Sequence, residues 1–260
     1  MNAKKDLNIF LQSKKKKAYL KNGWVKIPKL ISKAHVNILK NSVSKFLKKN
    51  DNNYDNKNVN FLFDSNNKKI LHTFHKISDS KAIKKFATQK KFFEISNELI
   101  GSKSKFRKCE LFAKPSKIGI KSPPHQDNYY WCLKNGKSLT FWIALDKSNK
   151  KNGAMYYYDG SHSAGLVKHV ASNIKGSSQE VNNKKYLKRF KKITPSLNIG
   201  DVLVHDSHII HGSTKNNSKS NRMGLTIQFQ SVKCKTDHKR KKIYLKSLNK
   251  QINKRINARI

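Results

Sequence analysis

The sequence predicts a mainly β fold, an antiparallel barrel or jelly roll that is preceded by helices. Apolar residues follow a helical period before Gly101, and short runs rich in β-branched and aromatic residues replace that period afterwards. Gly, Pro and Asn-Gly turns separate these runs. Many short strands with this punctuation are typical of antiparallel barrels and jelly rolls.

The N-terminal part, residues 1–104, is predicted to be mainly helical. Its Lys-rich start, residues 1–22, is expected to be frayed, and residues 24–27 favour a short strand. Ser32 is a suitable N-cap for a helix that runs to about Lys48, because its hydroxyl can accept a hydrogen bond from a free N–H of the first turn. The other elements predicted here are a polar loop at 51–60, a strand at 70–77, and one or two helices at 79–100 that end at Gly101.

Residues 105–232 are predicted to form the β core. Its strands are predicted at 106–113, 139–145, 154–158, 201–205 and 223–232, with a polar insertion at 165–198. Residues 233–260 form a basic C-terminal tail, in which an Ile/Leu pattern favours an amphipathic helix: Ile243, Leu245, Leu248, Ile252 and Ile256. We interpret residues 1–260 as one domain.

Composition excludes several classes of protein. No run approaches the ~18 uncharged apolar residues that a transmembrane helix needs, and the apolar stretch near the start is too short for a secretory signal. Cys109, Cys132 and Cys234 are too scattered for a disulfide framework or a metal knuckle. These observations predict a reducing, cytoplasmic setting.

The chain carries 57 Lys and Arg against 15 Asp and Glu, a formal net charge of +42. Such a charge attracts anions, nucleic acid and acidic lipid among them. The excess is mostly Lys mixed with Asn, however, and both have A/T-rich codons, so either genome composition or an anionic partner accounts for it. Because no Arg-rich block, zinc knuckle or aromatic-glycine signature is present, a dedicated nucleic-acid partner is not expected.

A His-x-Asp pair is the most informative chemical feature. In an extended segment the side chains of His125 and Asp127 share one face and can take adjacent positions on a metal. A second His from a distant strand completes a 2-His-1-carboxylate triad, which suits non-haem Fe(II) and leaves positions open for a co-substrate and O₂. His205, His208 and His211 compete for this role. The Gly-Ser pair that follows His211 favours His211 as the ligand. If the strand is unbroken, His205 lies on the same face as His211, and it is either a supporting or a structural residue.

A series of motifs surrounds these residues. It comprises Leu-Phe-x-Lys at 111–114, HQDNYYW at 125–131, LTFWIALD at 139–146, NGAMYYYDGSH at 152–162, GDVLVHDSHIIHGS at 200–213, and Arg222. In this order and spacing the sequence resembles the phytanoyl-CoA dioxygenase family of Fe(II)/2-oxoglutarate oxygenases over about residues 105–232. The resemblance implies a double-stranded β-helix, the cupin-like jelly roll.

The resemblance also implies residue roles. Asp127 and the two histidines His125 and His211 are expected to be the catalytic iron ligands. Arg222 is expected to hold the distal carboxylate of 2-oxoglutarate, with Ser213 donating a second hydrogen bond. Trp142 is expected to be an aromatic wall beside the co-substrate or a core residue, and Lys114 a co-substrate contact or one of many surface lysines.

Two positions depart from the family pattern. Asp159 stands where a Pro is usual, which changes a turn but not the metal site. Glu110 stands near the co-substrate, where a carboxylate would repel a dianion. We therefore expect Glu110 to point away from the site.

The resulting functional prediction is a dioxygenase that uses Fe(II), 2-oxoglutarate and O₂ to hydroxylate a C–H bond of a small, anionic metabolite, with release of succinate and CO₂. One alternative is a basic nucleic-acid-binding protein on a β-barrel scaffold without catalysis. Another is an oxygenase acting on nucleic acid, although the second Arg pattern of such enzymes is not found. The basic tail is expected either to bind a membrane surface or to cover the barrel.

Overall fold

Helices lie at both ends of the chain, around a large β region. A computed structural model describes residues 14–49, 58–174 and 176–257. The helices are α1 (Lys14–Asn22), α2 (Lys33–Lys49), α3 (Lys81–Ala87), α4 (Lys90–Ile100), α5 (Asp127–Trp131), α6 (Lys184–Leu187) and α7 (His238–Asn257). None of the helices within these ranges combines the length and apolar character that crossing a membrane requires.

The N-terminal predictions hold with one correction. Ser32 accepts a hydrogen bond from the backbone N–H of His35 at 3.2 Å, and Gly101 ends α4 in the left-handed region at φ 77°. The expectation of a frayed lead-in is wrong for residues 14–22, because Tyr19 is buried in the main core and anchors α1. Residues 1–13 of that lead-in lie outside the described residues.

The strands cover most of the remaining chain. They are β1 (Trp24–Ile27), β2 (Val59–Phe63), β3 (Lys69–Phe74), β4 (Ser104–Lys114), β5 (Ser122–His125), β6 (Leu133–Lys134), β7 (Ser138–Ala144), β8 (Met155–Tyr158), β9 (Val170–Ile174), β10 (Ser177–Glu180), β11 (Lys192–Ile193), β12 (Val202–Asp206), β13 (His211–Ser213), β14 (Arg222–Ser231) and β15 (Lys235–Thr236). The five core strands predicted from the sequence are confirmed within one or two residues. The polar loop predicted at 51–60 lies mostly outside the described residues, and β2 already begins at its end.

Two antiparallel sheets form the double-stranded β-helix, so the predicted fold class is confirmed. The larger sheet has seven strands in the order β1-β12-β7-β14-β4-β3-β2, and the smaller has the order β11-β8-β13-β5. The predicted insertion at 165–198 is not simply polar loop, because it contains β9, β10, α6 and β11. Within it, the backbone N–H of Val181 donates to the carbonyl of Pro124 at 2.7 Å, which ties the insertion to β5.

The larger sheet is covered on both faces, which explains its long apolar runs. In β7, Leu139 and Phe141 belong to the core shared with the N-terminal helices, and Phe92 of α4 packs edge-on against Phe141. Thr140 and Trp142 alternate with them and face the space between the two sheets. The functional side chains therefore project from one face of a rigid, packed sheet.

The basic tail forms the predicted helix, α7, and lies across the open end of the jelly roll. Arg240 donates to the carbonyl of Asn128 at 2.8 Å, and Tyr244 contacts Tyr130 with ring centres 5.7 Å apart. Within its described part, α7 therefore covers the barrel, one of the two roles expected of the tail. The side chain of Ile256, part of the predicted pattern, lies outside the described residues.

Candidate active site

His125, Asp127 and His211 come together between the two sheets. His125 ends β5 and His211 begins β13, and the two residues are paired directly across the smaller sheet. One ligand atom from each of the three residues lies within 4.8 Å of the others. The Nε2 of His211 is 3.7 Å from Oδ1 of Asp127. This arrangement has the size and donor set of a metal site.

The residue between His125 and Asp127 explains why both of these side chains point into the space between the sheets. Gln126 is fully buried and points the other way, donating to the carbonyl of Gly165 at 2.7 Å. Its Oε1 accepts from the backbone N–H of Val167 at 2.8 Å. Because Gln126 is fixed outward, the alternation predicted for an extended segment turns His125 and Asp127 toward the same point.

The two histidines are held in the form that binds metal. Nδ1 of His125 donates to the carbonyl of Pro123 at 2.8 Å, and Nδ1 of His211 donates to the carbonyl of Ile209 at 3.0 Å. A carbonyl can only accept, so the proton of each neutral ring is on Nδ1 and the lone pair of Nε2 is available. Burial lowers the pKa of both imidazoles, that of His211 well below its ordinary value, which favours the neutral ligand form.

The Asp127 carboxylate is oriented by two donors on one oxygen. Its Oδ2 accepts from the hydroxyl of Thr140 at 2.7 Å and from Nε2 of His205 at 3.2 Å, which leaves Oδ1 facing His211. Burial alone would raise the pKa of this carboxyl. The imidazole of His211 and the hydrogen bond from His205 outweigh burial and hold the pKa below its ordinary value.

His205 lies next to the three candidate ligands but is not one of them. The condition for a shared face, an unbroken strand, is not met, because β12 ends at Asp206 and His211 belongs to the other sheet. With Nε2 donating to Asp127, Nδ1 of His205 accepts from the hydroxyl of Tyr157 at 3.1 Å. His205 therefore positions the carboxylate, and its own lone pair is used by Tyr157.

A second feature is a pair of buried cations. Arg222 is only 1% exposed and donates to the carbonyl of Gly153 at 3.1 Å, and no carboxylate within the described ranges forms an ion pair with it. Burial lowers the pKa of Arg222 to about 9.

Lys114 lies opposite Arg222 in the β4–β14 pairing and is 4% exposed. It donates to the carbonyl of Ile120 at 2.7 Å. Burial and the charge of Arg222 lower the pKa of Lys114 well below its ordinary value. Two adjacent buried cations form a strong site for an anion.

Trp142 lies between the cations and the triad. Its ring centre is 5.0 Å from the Arg222 guanidinium, and it also packs with Met155 and Tyr157. The ring fits because Gly224 faces it, and a Cβ at that position would lie 2.0 Å from the indole. Trp142 is therefore both a core residue and part of the cavity wall.

One cavity of about 630 Å³ joins these features, and Ser213 also lies in its wall. Its volume is typical of a small-molecule site. The expectation that Glu110 points away is wrong, since Glu110 lines this cavity. Its carboxylate binds Lys108 and His75, each at 2.7 Å, and these partners lower its pKa to about 2 in spite of burial. Its repulsion of an anion is reduced by the ion pair with Lys108.

Several cavity residues were missed by sequence reasoning. Thr140 could have been found, because it alternates with Trp142 on one strand. Arg107 and Gln228 gave no signal, since their positions depend on a strand irregularity and on tertiary packing. The Ile/Leu pattern predicted α7 but not which of its side chains line the cavity. Among the aromatic residues of the HQDNYYW motif, Tyr130 and Trp131 line the cavity, whereas Tyr129 stacks on His169 with ring centres 4.1 Å apart.

Comparison with known proteins gives consistent similarities. A family model described as phytanoyl-CoA dioxygenase (PhyH) matches residues 19–224. A phytanoyl-CoA dioxygenase of Arabidopsis thaliana is 24% identical over 168 residues, covering 64% of this chain and 58% of the relative. A phytanoyl-CoA dioxygenase domain-containing protein 1 of Danio rerio is 27% identical over 122 residues, covering 45% of this chain and 41% of the relative. The chain thus spans about half the length of these curated relatives.

A solved structure shares the fold. It is the epimerase SnoN in complex with Fe3+, alpha ketoglutarate and nogalamycin RO, with a TM-score of 0.69 at 17% sequence identity. The match covers 89% of this chain and 86% of SnoN.

Proposed function

Because the chain belongs to the phytanoyl-CoA dioxygenase family, we propose that it is an Fe(II)- and 2-oxoglutarate-dependent dioxygenase that hydroxylates a C–H bond of a small, anionic metabolite. One observation carries this proposal. A His-Asp-His donor set and a pair of buried cations, Arg222 and Lys114, line the same cavity with Trp142 between them.

The metal is assigned to His125, Asp127 and His211. The free Nε2 atoms of the histidines and Oδ1 of Asp127 fit a divalent ion that takes nitrogen and oxygen ligands. When bound, Fe(II) couples the oxidative decarboxylation of 2-oxoglutarate, which yields succinate and CO₂, to hydroxylation of a C–H bond by O₂. The carboxylate at position 127 favours hydroxylation over halogenation, because halogenation requires a vacant place for halide on the iron.

The far end of 2-oxoglutarate is assigned to Arg222, with Ser213 and Lys114 as further contacts. A planar guanidinium binds a carboxylate through two parallel hydrogen bonds. The co-substrate carboxylate would compensate the buried positive charge that the described residues leave unpaired. Trp142 would then lie against the carbon chain of the co-substrate and exclude water from it.

The rest of the protein orients these groups. Thr140 and His205 fix the carboxylate of Asp127, and Tyr157 fixes the ring of His205. No protein nucleophile or general base is required. The contribution of the chain is binding, orientation and exclusion of water.

The anionic character of the metabolite is supported by the surface charge and by the cavity. The chain carries a net charge of +42, and Arg107 in the cavity wall makes no ion pair within the described residues. A positive cavity raises the local concentration of anions.

Succinate production in air tests this function. Purified protein with Fe(II) and 2-oxoglutarate should release succinate slowly without added metabolite, and Asp127→Ala should abolish the release. Thr226→Val, which alters a cavity hydroxyl that binds the carbonyl of Glu110, is the matched control and should retain it. Equal succinate from wild type and Asp127→Ala, with salt-dependent nucleic-acid binding by both, would instead support the non-catalytic alternative.

A further inference from the structure

Strand β4 carries a β-bulge at Arg107, beside the candidate metal centre. In its pairing with β14, Lys108 lies opposite Gln228 and Phe106 lies opposite Phe229, so Arg107 is the extra residue. Phe106 packs with Phe229 in the main core, whereas Arg107 lines the cavity. A bulge changes the direction of the side chain that it carries and is common next to active sites. Here it places Arg107 in the cavity alongside Lys108.

The Arg107 guanidinium is free to bind a ligand. It lies over the ring of Trp131, 4.9 Å from the ring centre. Across residues 14–49, 58–174 and 176–257, no hydrogen bond or ion pair reaches it. The carboxylates of Glu110 and Asp127 attract it only at longer range, and that of Glu110 is already bound by Lys108 and His75. A guanidinium held on an aromatic face, with its N–H groups unused, is suited to an oxyanion such as a carboxylate or a phosphate.

Gln228 supplies an unused acceptor next to the metal centre. Its side chain is 2% exposed, and within the described structure Oε1 has no hydrogen-bond partner, while Nε2 donates to Glu110. Gln228 pairs across the sheet with Thr140, the residue whose hydroxyl holds Asp127. A buried acceptor without a partner is costly, so a hydroxyl or amine of a ligand would satisfy it.

Helix α7 supplies the apolar wall of the same cavity. Leu245, Leu248 and Ile252 line it together with Tyr244. Leu245 is 43% exposed and marks the mouth. This wall suits a hydrocarbon or ring body that reaches out of the barrel.

Resting on the function proposed above, we propose that Arg107 and Gln228 select an amphipathic acid as the substrate. Arg107 binds its carboxylate or phosphate, Gln228 accepts from a hydroxyl or amine near the reacting carbon, and the apolar body lies against α7. The acid is thereby held on the side of the metal centre away from Arg222, where it does not compete with the co-substrate. Arg107 is a substrate-binding residue in this arrangement, and the bulge at position 107 determines specificity.

Calorimetry with matched probes tests the assignment. The probes are octanoate, octyl phosphate and octanol, titrated without O₂ into protein loaded with Mn(II) and 2-oxoglutarate. Arg107→Gln should weaken both acids about tenfold and leave octanol unchanged. Lys105→Gln, which removes one exposed charge from the same strand, should change neither. The acid that binds more tightly to wild type identifies the anionic group as carboxylate or phosphate.

Two further variants separate binding from folding. Arg107→Lys keeps the charge and loses the planar fork, so it should bind the acids with intermediate affinity. Leu248→Ala should weaken octanol and both acids by the same factor. The assignment is wrong if Arg107→Gln leaves acid binding unchanged, if Lys105→Gln has the same effect, or if wild type binds none of the probes.

The same titrations distinguish this proposal from the one on which it rests. Affinity for 2-oxoglutarate is measured first in wild type and in Arg107→Gln, and both should bind it equally. A wild type that does not bind 2-oxoglutarate would contradict the dioxygenase function. Intact 2-oxoglutarate binding with unchanged acid binding in Arg107→Gln would contradict only the substrate assignment.

Discussion

The cavity contains two guanidinium groups that are held in different ways. Arg222 lies on a regular part of β14, is 1% exposed, and is fixed by the carbonyl of Gly153. Arg107 lies at a bulge, is partly exposed, and rests on Trp131 without a hydrogen bond in the described structure. Arg222 and Gln228, which lies beside the bulge, are six residue positions apart on β14, roughly 20 Å of strand.

This difference separates the two tasks of the cavity. A fixed and fully buried cation suits a ligand that is the same in every turnover, as the proposed co-substrate is. A partly exposed cation on an aromatic ring can adjust to the rest of a larger molecule. The metal centre lies at the Gln228 end of this stretch, because Thr140, whose hydroxyl holds Asp127, pairs with Gln228.

Removing the fixed cation is expected to have the largest effect. Arg222→Gln should weaken 2-oxoglutarate binding about 100-fold or more, because it takes one partner from a buried charge pair. Anaerobic calorimetry on Mn(II)-loaded protein measures this. Arg107→Gln is the comparison, and it should bind 2-oxoglutarate as wild type does. An equal loss of 2-oxoglutarate affinity in both variants would mean that Arg222 and Arg107 do not bind different ligands.

Acid should weaken the packing of the segment that carries His125 and Asp127. The backbone N–H of Gln126 donates to Nε2 of His169 at 3.1 Å, and burial lowers the pKa of His169 to about 4. In the unfolded chain the imidazole of His169 binds a proton near pH 6.5, whereas in the folded chain it stays neutral until about pH 4. The contribution of His169 to the free energy of unfolding is therefore present above pH 6.5 and is lost as the pH falls toward 4. The loss attributable to His169 should be about 3 kcal/mol.

Urea unfolding of the metal-free protein across this pH range checks the expectation. His169→Gln keeps an acceptor for the Gln126 N–H but does not titrate, so its stability should fall less than that of wild type. His125 and His211, whose pKa values are also lowered by burial, lose stability in the same direction in both proteins. Parallel curves for wild type and variant would show that His169 is not responsible.

A smaller effect is expected at the metal centre. Thr140→Val removes one of the two donors to Oδ2 of Asp127 and nearly preserves shape, so metal affinity should fall about tenfold. Competition with a chelating dye measures this affinity. Thr226→Val, a change of the same kind that does not touch Asp127, should bind metal as wild type does. If Thr140→Val also binds as wild type does, His205 alone suffices to orient the carboxylate.

The features that could be predicted from the sequence are those that depend on the local order of residues. Strand alternation and turn residues located the β core, and His-x-Asp followed by a distant His-Gly-Ser located three side chains that the fold brings together. The Arg107 bulge could not be predicted, because it results from a register shift between β4 and β14. The burial of Tyr19 and the placement of α7 over the mouth also depend on distant contacts. The single domain and the cytoplasmic setting stay predictions.

The central claim is that one cavity binds Fe(II) and 2-oxoglutarate together, and an anaerobic visible-absorption titration tests it most directly. Fe(II) is added to purified protein, followed by 2-oxoglutarate. A weak metal-to-ligand charge-transfer band should appear only when both are present, and it should be absent in His211→Ala that remains folded by circular dichroism. Folded, metal-loaded wild type that shows no band with 2-oxoglutarate would contradict the account.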